Sequence, residues 1–167
     1  PDQAQGWDAM DALVISNVDT GTLTAEQKQA LKSWLAKGGK LFVTGGIHWQ
    51  AGSAGLDGIL PVKLTSTKNV ATLTALSTYS KYPLLEEQET VLATGQTLEG
   101  ASVLIEQSGI PMLVEKQIGF GKVYFFAADP GLKPLSEWGG MGMIYDHLLG
   151  FKSPRPIWAD GNWDSYQ

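Results

Sequence analysis

The chain has no cysteine in its 167 residues. That absence removes disulfides, thiolate metal sites and cysteine nucleophiles together. Arginine is almost missing too, since Arg155 is the only one among 12 basic residues. Phosphate and nucleic-acid grooves favour arginine for its bidentate fork. No basic stripe is present either, which argues against nucleic-acid binding. The net charge of −5 is spread without acidic or basic blocks. No apolar run approaches the ~18 residues needed to span a bilayer. No basic-then-apolar leader opens the chain, which starts Pro1-Asp2-Gln3 without an initiator Met. That start is expected of a piece of something longer. The lack of cysteine suits the cytosol and also the exterior of a Gram-positive-type cell. The Thr/Ser/Asn/Gln/Trp/Tyr-rich texture leans toward the exterior.

What is present is a run of α/β signals over a length sufficient for one ordinary domain. Ala12-Leu13-Val14-Ile15-Ser16 is a short continuous apolar run, as expected of a strand buried on both faces. Thr24-Ala25-Glu26-Gln27 fits a capping box, with Thr24 as N-cap and Gln27 three residues on. The helix it starts runs to about Lys37, with Leu31, Trp34 and Leu35 as its buried stripe. Gly38-Gly39 ends it, and Lys40 to Thr44 is the next strand. This strand–helix–strand unit predicts a parallel pair with a right-handed crossover.

Gly45 to Pro61 reads as a glycine-rich irregular segment with room for one short helix. Val62–Thr67 and Val70–Thr78 are rich in Thr and Val and read as extended. Thr90–Ala93, Ala101–Glu106, Met112–Lys116 and Lys122–Ala127 read as short strands separated by glycine turns. The last two flank Gln117-Ile118-Gly119-Phe120-Gly121 and read as a β-hairpin. Ser136 to Leu149 reads as the final helix, with Trp138, Met141, Ile144, Tyr145 and Leu148 at helical spacing. Residues 1–150 are expected to form the domain. Residues 151–167, which include Pro154, Pro156, Trp158 and Trp163, read as a tail or linker. The expected fold is an α/β three-layer sandwich, flavodoxin-like in its first half, with a mixed sheet carrying added antiparallel strands.

Three segments carry a resemblance. They are Asp11-Ala12-Leu13-Val14-Ile15-Ser16, then Trp34-Leu35-Ala36-Lys37-Gly38-Gly39 with Leu41-Phe42-Val43-Thr44-Gly45-Gly46, and later Gly119-Phe120-Gly121-Lys122-Val123-Tyr124-Phe125-Phe126-Ala127-Ala128-Asp129-Pro130. In this order, over roughly Trp7 to Gly150, the chain resembles the class I glutamine amidotransferase-like fold. The likeness is closer to its degenerate, non-enzymatic members, which occur as extracytoplasmic domains of bacterial membrane proteins. The resemblance implies a family nucleophile near Gly45 or Gly46, where no thiol exists. It implies a late-strand histidine near Ala127 or Ala128, where none exists either. Losing both the nucleophile and the base of a triad leaves little catalysis. What carries over is therefore the fold and not the activity. The expected function is a non-catalytic ligand- or protein-interaction domain, extracytoplasmic and membrane-associated through its parent protein, with no cofactor and no metal.

The candidate binding residues are Gly45, Gly46, His48, Trp49 and Asp129. His48 lies just past a strand's C-terminal end, where open α/β sheets place ligands, and imidazole titrates near neutral pH. A plain loop histidine is the preferred alternative. Gly45-Gly46 could let a ligand approach backbone N–H groups, or could simply make the turn leaving the sheet. Asp129 could be an acid facing His48, although Asp-Pro is also a turn starter. Asn17 and Asp19 would crowd the same edge, and Asp19, His48 and Asp129 have no metal-ligand spacing. Glu86-Glu87-x-Glu89 reads as a solvated run rather than a glycosidase pair. Trp49, Trp158 and Trp163 are loop tryptophans that could serve as binding platforms or core caps. His147 reads as a surface residue of the last helix. The rival function is a hydrolase with Thr44 or Ser53 beside His48, or with a His48–Asp129 pair activating water.

Overall fold

The computed structural model describes residues 10–83 and 87–150, together with the backbone of 158–159. The chain is mixed α/β. Its main sheet begins with β1 (Ala12–Ile15), crosses through α1 (Ala25–Ala36), and continues with β2 (Lys40–Thr44) parallel to β1. The capping box forms as its residues dictate. Thr24 Oγ1 accepts from the Gln27 N–H at 3.1 Å, and Gln27 Oε1 accepts from the Thr24 N–H at 2.9 Å. The indole N–H of Trp34 donates to the Met10 carbonyl at 2.8 Å and ties α1 back to the start of β1. Gly38 then turns with φ +120.

After β2 the chain makes α2 (Trp49–Ser53), β3 (Val62–Val70), α3 (Thr74–Ser80) and β4 (Thr90–Thr97). β3 and β4 pair antiparallel as a separate two-stranded ribbon. The chain returns to the main sheet as an antiparallel meander of β5 (Ala101–Gln107), β6 (Ile110–Ile118) and β7 (Gly121–Phe126). β7 also pairs parallel with β2, so the order β5-β6-β7-β2-β1 is a mixed five-stranded sheet. The two-residue strand β8 (Trp158–Ala159) adds parallel to β1 at the far edge. It falls in the segment read from sequence as a tail. The side chains of Trp158 and Trp163 lie outside the described residues, as does Glu86.

Helix α4 (Gly140–Leu149) packs on the sheet through Tyr145, whose ring meets Phe42 edge-on at 5.0 Å. Phe42, Phe125, Phe126, Leu35 and Leu41 are among the fully buried side chains and mark the centre of the core.

Two segments differ from the sequence expectation. Val70–Thr78 was expected to be extended, but Thr74–Ser80 is helical. Leu73 and Leu76 are buried one helical turn apart, and the Ala75 N–H is captured by Gln107 Oε1 at 2.9 Å. That bond spans 32 residues, so a distant contact overrides the β preference of threonine. The last helix begins later than Ser136. Leu135–Glu137 is a 3₁₀ turn, and α4 starts at Gly140. A Cβ at Gly140 would lie 1.9 Å from the Trp138 ring, so the indole and the helix start can share that space only through glycine.

The glycines of the β6–β7 hairpin have a packing reason. The tip lies on the C-terminal end of α1. There Phe120 N–H donates to the Ala36 carbonyl at 3.0 Å, and Lys122 N–H donates to the Gly39 carbonyl at 3.1 Å. Helix C-termini leave carbonyls without intrahelical partners, and here a neighbouring hairpin supplies one. A Cβ at Gly121 would lie 2.1 Å from the Leu35 carbonyl oxygen, and one at Gly119 would lie 2.7 Å from the Ala36 Cα.

Candidate cleft at the strand ends

The C-terminal ends of β1, β2 and β7 lie side by side in the parallel part of the sheet. Beyond them the chain leaves through Asn17–Asp19, through Gly45–Trp49, and through Ala127–Leu132. These three exits border a cleft of about 440 Å³, lined by Asn17, Val18, Asp19, His48, Ala51, Gly52, Asp129 and Leu132. This edge is where α/β sheets place ligands.

Each wall is held by hydrogen bonds. Asn17 adopts φ 54, a left-handed conformation that asparagine tolerates better than most residues. Its side chain reaches Asp129 Oδ1 at 3.4 Å. Asp19 caps the short turn Thr20–Thr22, and its Oδ1 accepts from the Gly21 N–H at 2.9 Å. Thr20 is fully buried and joins this turn to α2. Its hydroxyl lies 3.0 Å from the Gly52 carbonyl and 3.3 Å from that of Ala51, and it accepts from the Gly55 N–H at 2.9 Å. Ala51 and Gly52 are thereby fixed as part of the cleft wall.

Asp129 is only 6% exposed. Its Oδ1 accepts from the Gly131 N–H at 2.8 Å, so the Asp-Pro turn forms as well as the cleft wall. The same residue also acts on the core. Tyr145 has its hydroxyl pKa pushed well above the ordinary range, first by burial and then by the nearby Asp129 charge.

His48 is exposed and precedes α2. Its carbonyl accepts from the Gly52 N–H at 3.2 Å. Its imidazole makes no hydrogen bond or ion pair with Asp129, whose carboxylate is held by Gly131 and Asn17. Among the described residues, no group of three His, Asp or Glu side chains is placed to hold a metal ion.

The remaining sequence candidates sit differently. Gly45 and Gly46 are buried behind the cleft and are not part of its lining. Their N–H groups donate to the carbonyls of Phe126 at 2.7 Å and Ala127 at 2.8 Å, which continues the parallel ladder beyond the strands. A Cβ at Gly45 would lie 2.8 Å from the Ala127 oxygen and 2.9 Å from the Phe125 ring. Gly46 has φ +85, and a Cβ there would meet the Asp129 Cβ at 2.8 Å. Trp49 is half-buried and packs against the core. Thr44 is buried, and its hydroxyl donates to Ser16 Oγ at 2.9 Å. Ser53 Oγ points back to the Gln50 carbonyl at 3.4 Å. His147 is exposed on α4, with its ring edge-on to Tyr79 at 6.1 Å. Glu89 Oε1 accepts from Asn69 Nδ2 across the ribbon at 2.6 Å. The sequence candidates did not include Ala51, Gly52 or Leu132. Small or apolar residues carry no chemical signature that would single them out.

Neither a protein-family model nor a curated protein matches the chain. By structure the chain is similar to two proteins of Salmonella typhimurium. The first is the cytoplasmic protein STM1381 of strain LT2, at TM-score 0.67 and 22% identity, covering 90% of this chain and 75% of that one. The second is the cytoplasmic protein STM3548, at TM-score 0.70 and 15% identity, with the same coverages. The chain is also similar to part of a β-galactosidase from Rahnella sp. R3, at TM-score 0.55 and 13% identity, covering 87% of this chain and 23% of the enzyme. At these identities the likeness is one of fold. None of the three is named as an amidotransferase.

The localisation expected from sequence is corrected by these neighbours. An extracytoplasmic, membrane-associated placement rested on residue texture and on the family resemblance, and both Salmonella proteins are named as cytoplasmic. Among the described residues, no helix is long and apolar enough to cross a membrane. Polar texture does not separate compartments, because Thr, Ser and Asn favour any solvated loop or ribbon. The exposed face of β3 shows this.

Proposed function

We propose that the chain is a non-catalytic, glutamine amidotransferase-like domain that works by binding a small molecule or a protein segment at the strand-end cleft. We further propose that its α/β architecture is a flavodoxin-like three-layer sandwich. One observation carries the functional reading. At the turn where the family's nucleophile would stand, the Gly45 and Gly46 N–H groups are already bonded to the β7 exit, and neither position has room for a Cβ. Such a turn offers no side-chain nucleophile, and its two glycine N–H groups are not free to hold an oxyanion, as acyl transfer requires. The polar side chains lie instead in the adjacent cleft, where a ligand would meet them. The Rahnella enzyme, in which a similar fold makes up 23% of the chain, supports a role as one part of a larger protein.

The test pairs a fragment screen, followed by amide chemical shifts, with an ammonia-release assay on glutamine. Fragments that shift Asn17, His48 and Gly52, with no ammonia above buffer, are expected. A panel that never moves these amides would overturn binding at the cleft. The rival hydrolase reading has one observation in its favour, that His48 and Asp129 line the same cleft. Hydrolysis of glutamine or a simple ester that disappears in His48→Ala would establish that reading and defeat the non-catalytic one.

A further inference from the structure

We propose that the cleft takes the protonated amine of a small aliphatic ligand. This rests on the binding reading above and names the ligand's chemistry. The lining has charge of one sign. Asp19 and Asp129 contribute to it, and no lysine or arginine among the described residues does. The ion pairs found among those residues, Lys122 with Glu115 and Lys133 with Glu137, involve neither carboxylate.

Asp129 is the sharper of the two. It is more than nine-tenths buried, yet the hydrogen bonds made to it by described residues all fall on Oδ1. Its other oxygen has no hydrogen-bond partner among the described residues. A carboxylate withdrawn from water gains most from a cation or a donor brought to it. Asp19 is similar in kind but more exposed, with Oδ1 committed to Gly21. Of the two other polar lining residues, Asn17 and His48, Asn17 already directs its amide N–H toward Asp129 and the imidazole makes no bond to it.

Apart from His48 and the Gly52 backbone, the rest of the lining is apolar. Val18, Ala51 and the 54% exposed Leu132 offer carbon surface beside the carboxylates. An ammonium head with a short alkyl body matches both halves. A carboxylate or phosphate ligand would meet two like charges and no lysine or arginine. A volume of about 440 Å³ falls within the range of small-molecule sites.

The experiment compares pentylamine, pentan-1-ol and pentanoate, which share one alkyl tail and differ in head charge. Each is titrated into the isotope-labelled chain while the Asn17, His48 and Gly52 amides are followed. Pentylamine is expected to shift them with an affinity about tenfold above that of pentan-1-ol, and pentanoate is expected to leave them unmoved. Asp129→Asn keeps the acceptor for Gly131 and removes the charge. It should bring pentylamine to within about threefold of pentan-1-ol. Should Asp129→Asn fail to fold, Asp19→Asn at the exposed wall is expected to give a smaller loss in the same direction.

Equal binding of amine and alcohol, or stronger binding of pentanoate, with the cleft amides moving, would overturn the amine assignment and leave cleft binding intact. Silence of those amides toward all three probes would also overturn it. The broader fragment panel would then decide the binding reading separately.

Discussion

The two ends of the parallel strands are built from similar sequence and do opposite things. Both carry closely spaced glycines next to an aromatic strand: Gly119 and Gly121 at one end, Gly45 and Gly46 at the other. At the hairpin end, the glycines let backbone press on backbone, and the carbonyls of α1 are closed off. At the cleft end, the glycines also close, extending the ladder between β2 and β7 past the strands. The opening arises further along the chain, because the three exits diverge and leave Asn17, His48 and Asp129 around a gap. A glycine pair therefore marks close approach in this molecule and does not by itself mark a ligand site. The site is made by the diverging loops.

The contrast breaks most readily at the hairpin end. Gly121→Ala puts a Cβ 2.1 Å from the Leu35 carbonyl oxygen and 2.3 Å from that of Gly39. Both are backbone atoms with little freedom to move. A loss of about 3 kcal/mol in urea unfolding is expected, as for other overpacked core sites. Because the cleft lies at the opposite end, the folded fraction should keep its ligand shifts at Asn17 and His48. A loss below about 0.5 kcal/mol would mean that the hairpin is not seated on α1 as described.

At the cleft end, Gly46→Ala meets both a left-handed φ of +85 and the Asp129 Cβ at 2.8 Å. The expected cost is about 2 kcal/mol, roughly half from the backbone. The contrast with Gly121 lies in the neighbour. Asp129 lines the cleft, and any displacement of it to make room moves the cleft wall, so Gly46→Ala should disturb cleft binding more than its stability loss alone explains. Equal binding in wild type and variant would separate the turn from the cleft.

Two tyrosines of the core separate the cleft charge from charges elsewhere. Tyr124 donates to the Leu148 carbonyl, and its pKa is pushed up to about 12 by burial, then by Glu115 and Tyr79. Tyr145 is raised further, by burial and then by Asp129. A raised folded pKa adds stability that is fully present below the ordinary value near 10 and is lost as pH rises through the folded value. Unfolding free energy should therefore fall between about pH 10 and pH 12. In an absorbance titration, Asp129→Asn should lower the Tyr145 transition and leave Tyr124 in place. If both move together, the cleft charge is not local.

How far the sequence revealed this arrangement depends on the range of each signal. The β1–α1–β2 unit was legible because its signals are local. The Thr24–Gln27 box and the Gly38-Gly39 stop each act within four residues. The β6–β7 hairpin was legible for the same reason. α3 was not, because its first turn is held by Gln107, 32 residues away. The cleft was partly legible. Strand ends pointed to His48 and Asp129, and Asn17 and Asp19 were placed at the same edge. The closure of Gly45 and Gly46 was not legible, because it depends on where the β7 exit passes. Trp49 looked like a free loop aromatic, but it opens α2 and its side chain packs half-buried against the core.

The smallest expected effect on stability is also the most discriminating for function. His48 is exposed, and it starts α2 without a side-chain cap. His48→Ala should therefore change unfolding free energy by no more than about 0.5 kcal/mol, as is usual for a surface site without a cap or a buried partner. Weaker ligand binding by this variant then reflects the missing imidazole and not a weakened fold. A midpoint shift well beyond that range would show that His48 holds the α2 wall in place, and its role would be to position Ala51 and Gly52. Unchanged stability with weakened binding would place the imidazole against the ligand. Unchanged stability with unchanged binding would leave the chemistry of the cleft to its two carboxylates, and the contrast between the closed end and the open one would then rest on Asp129.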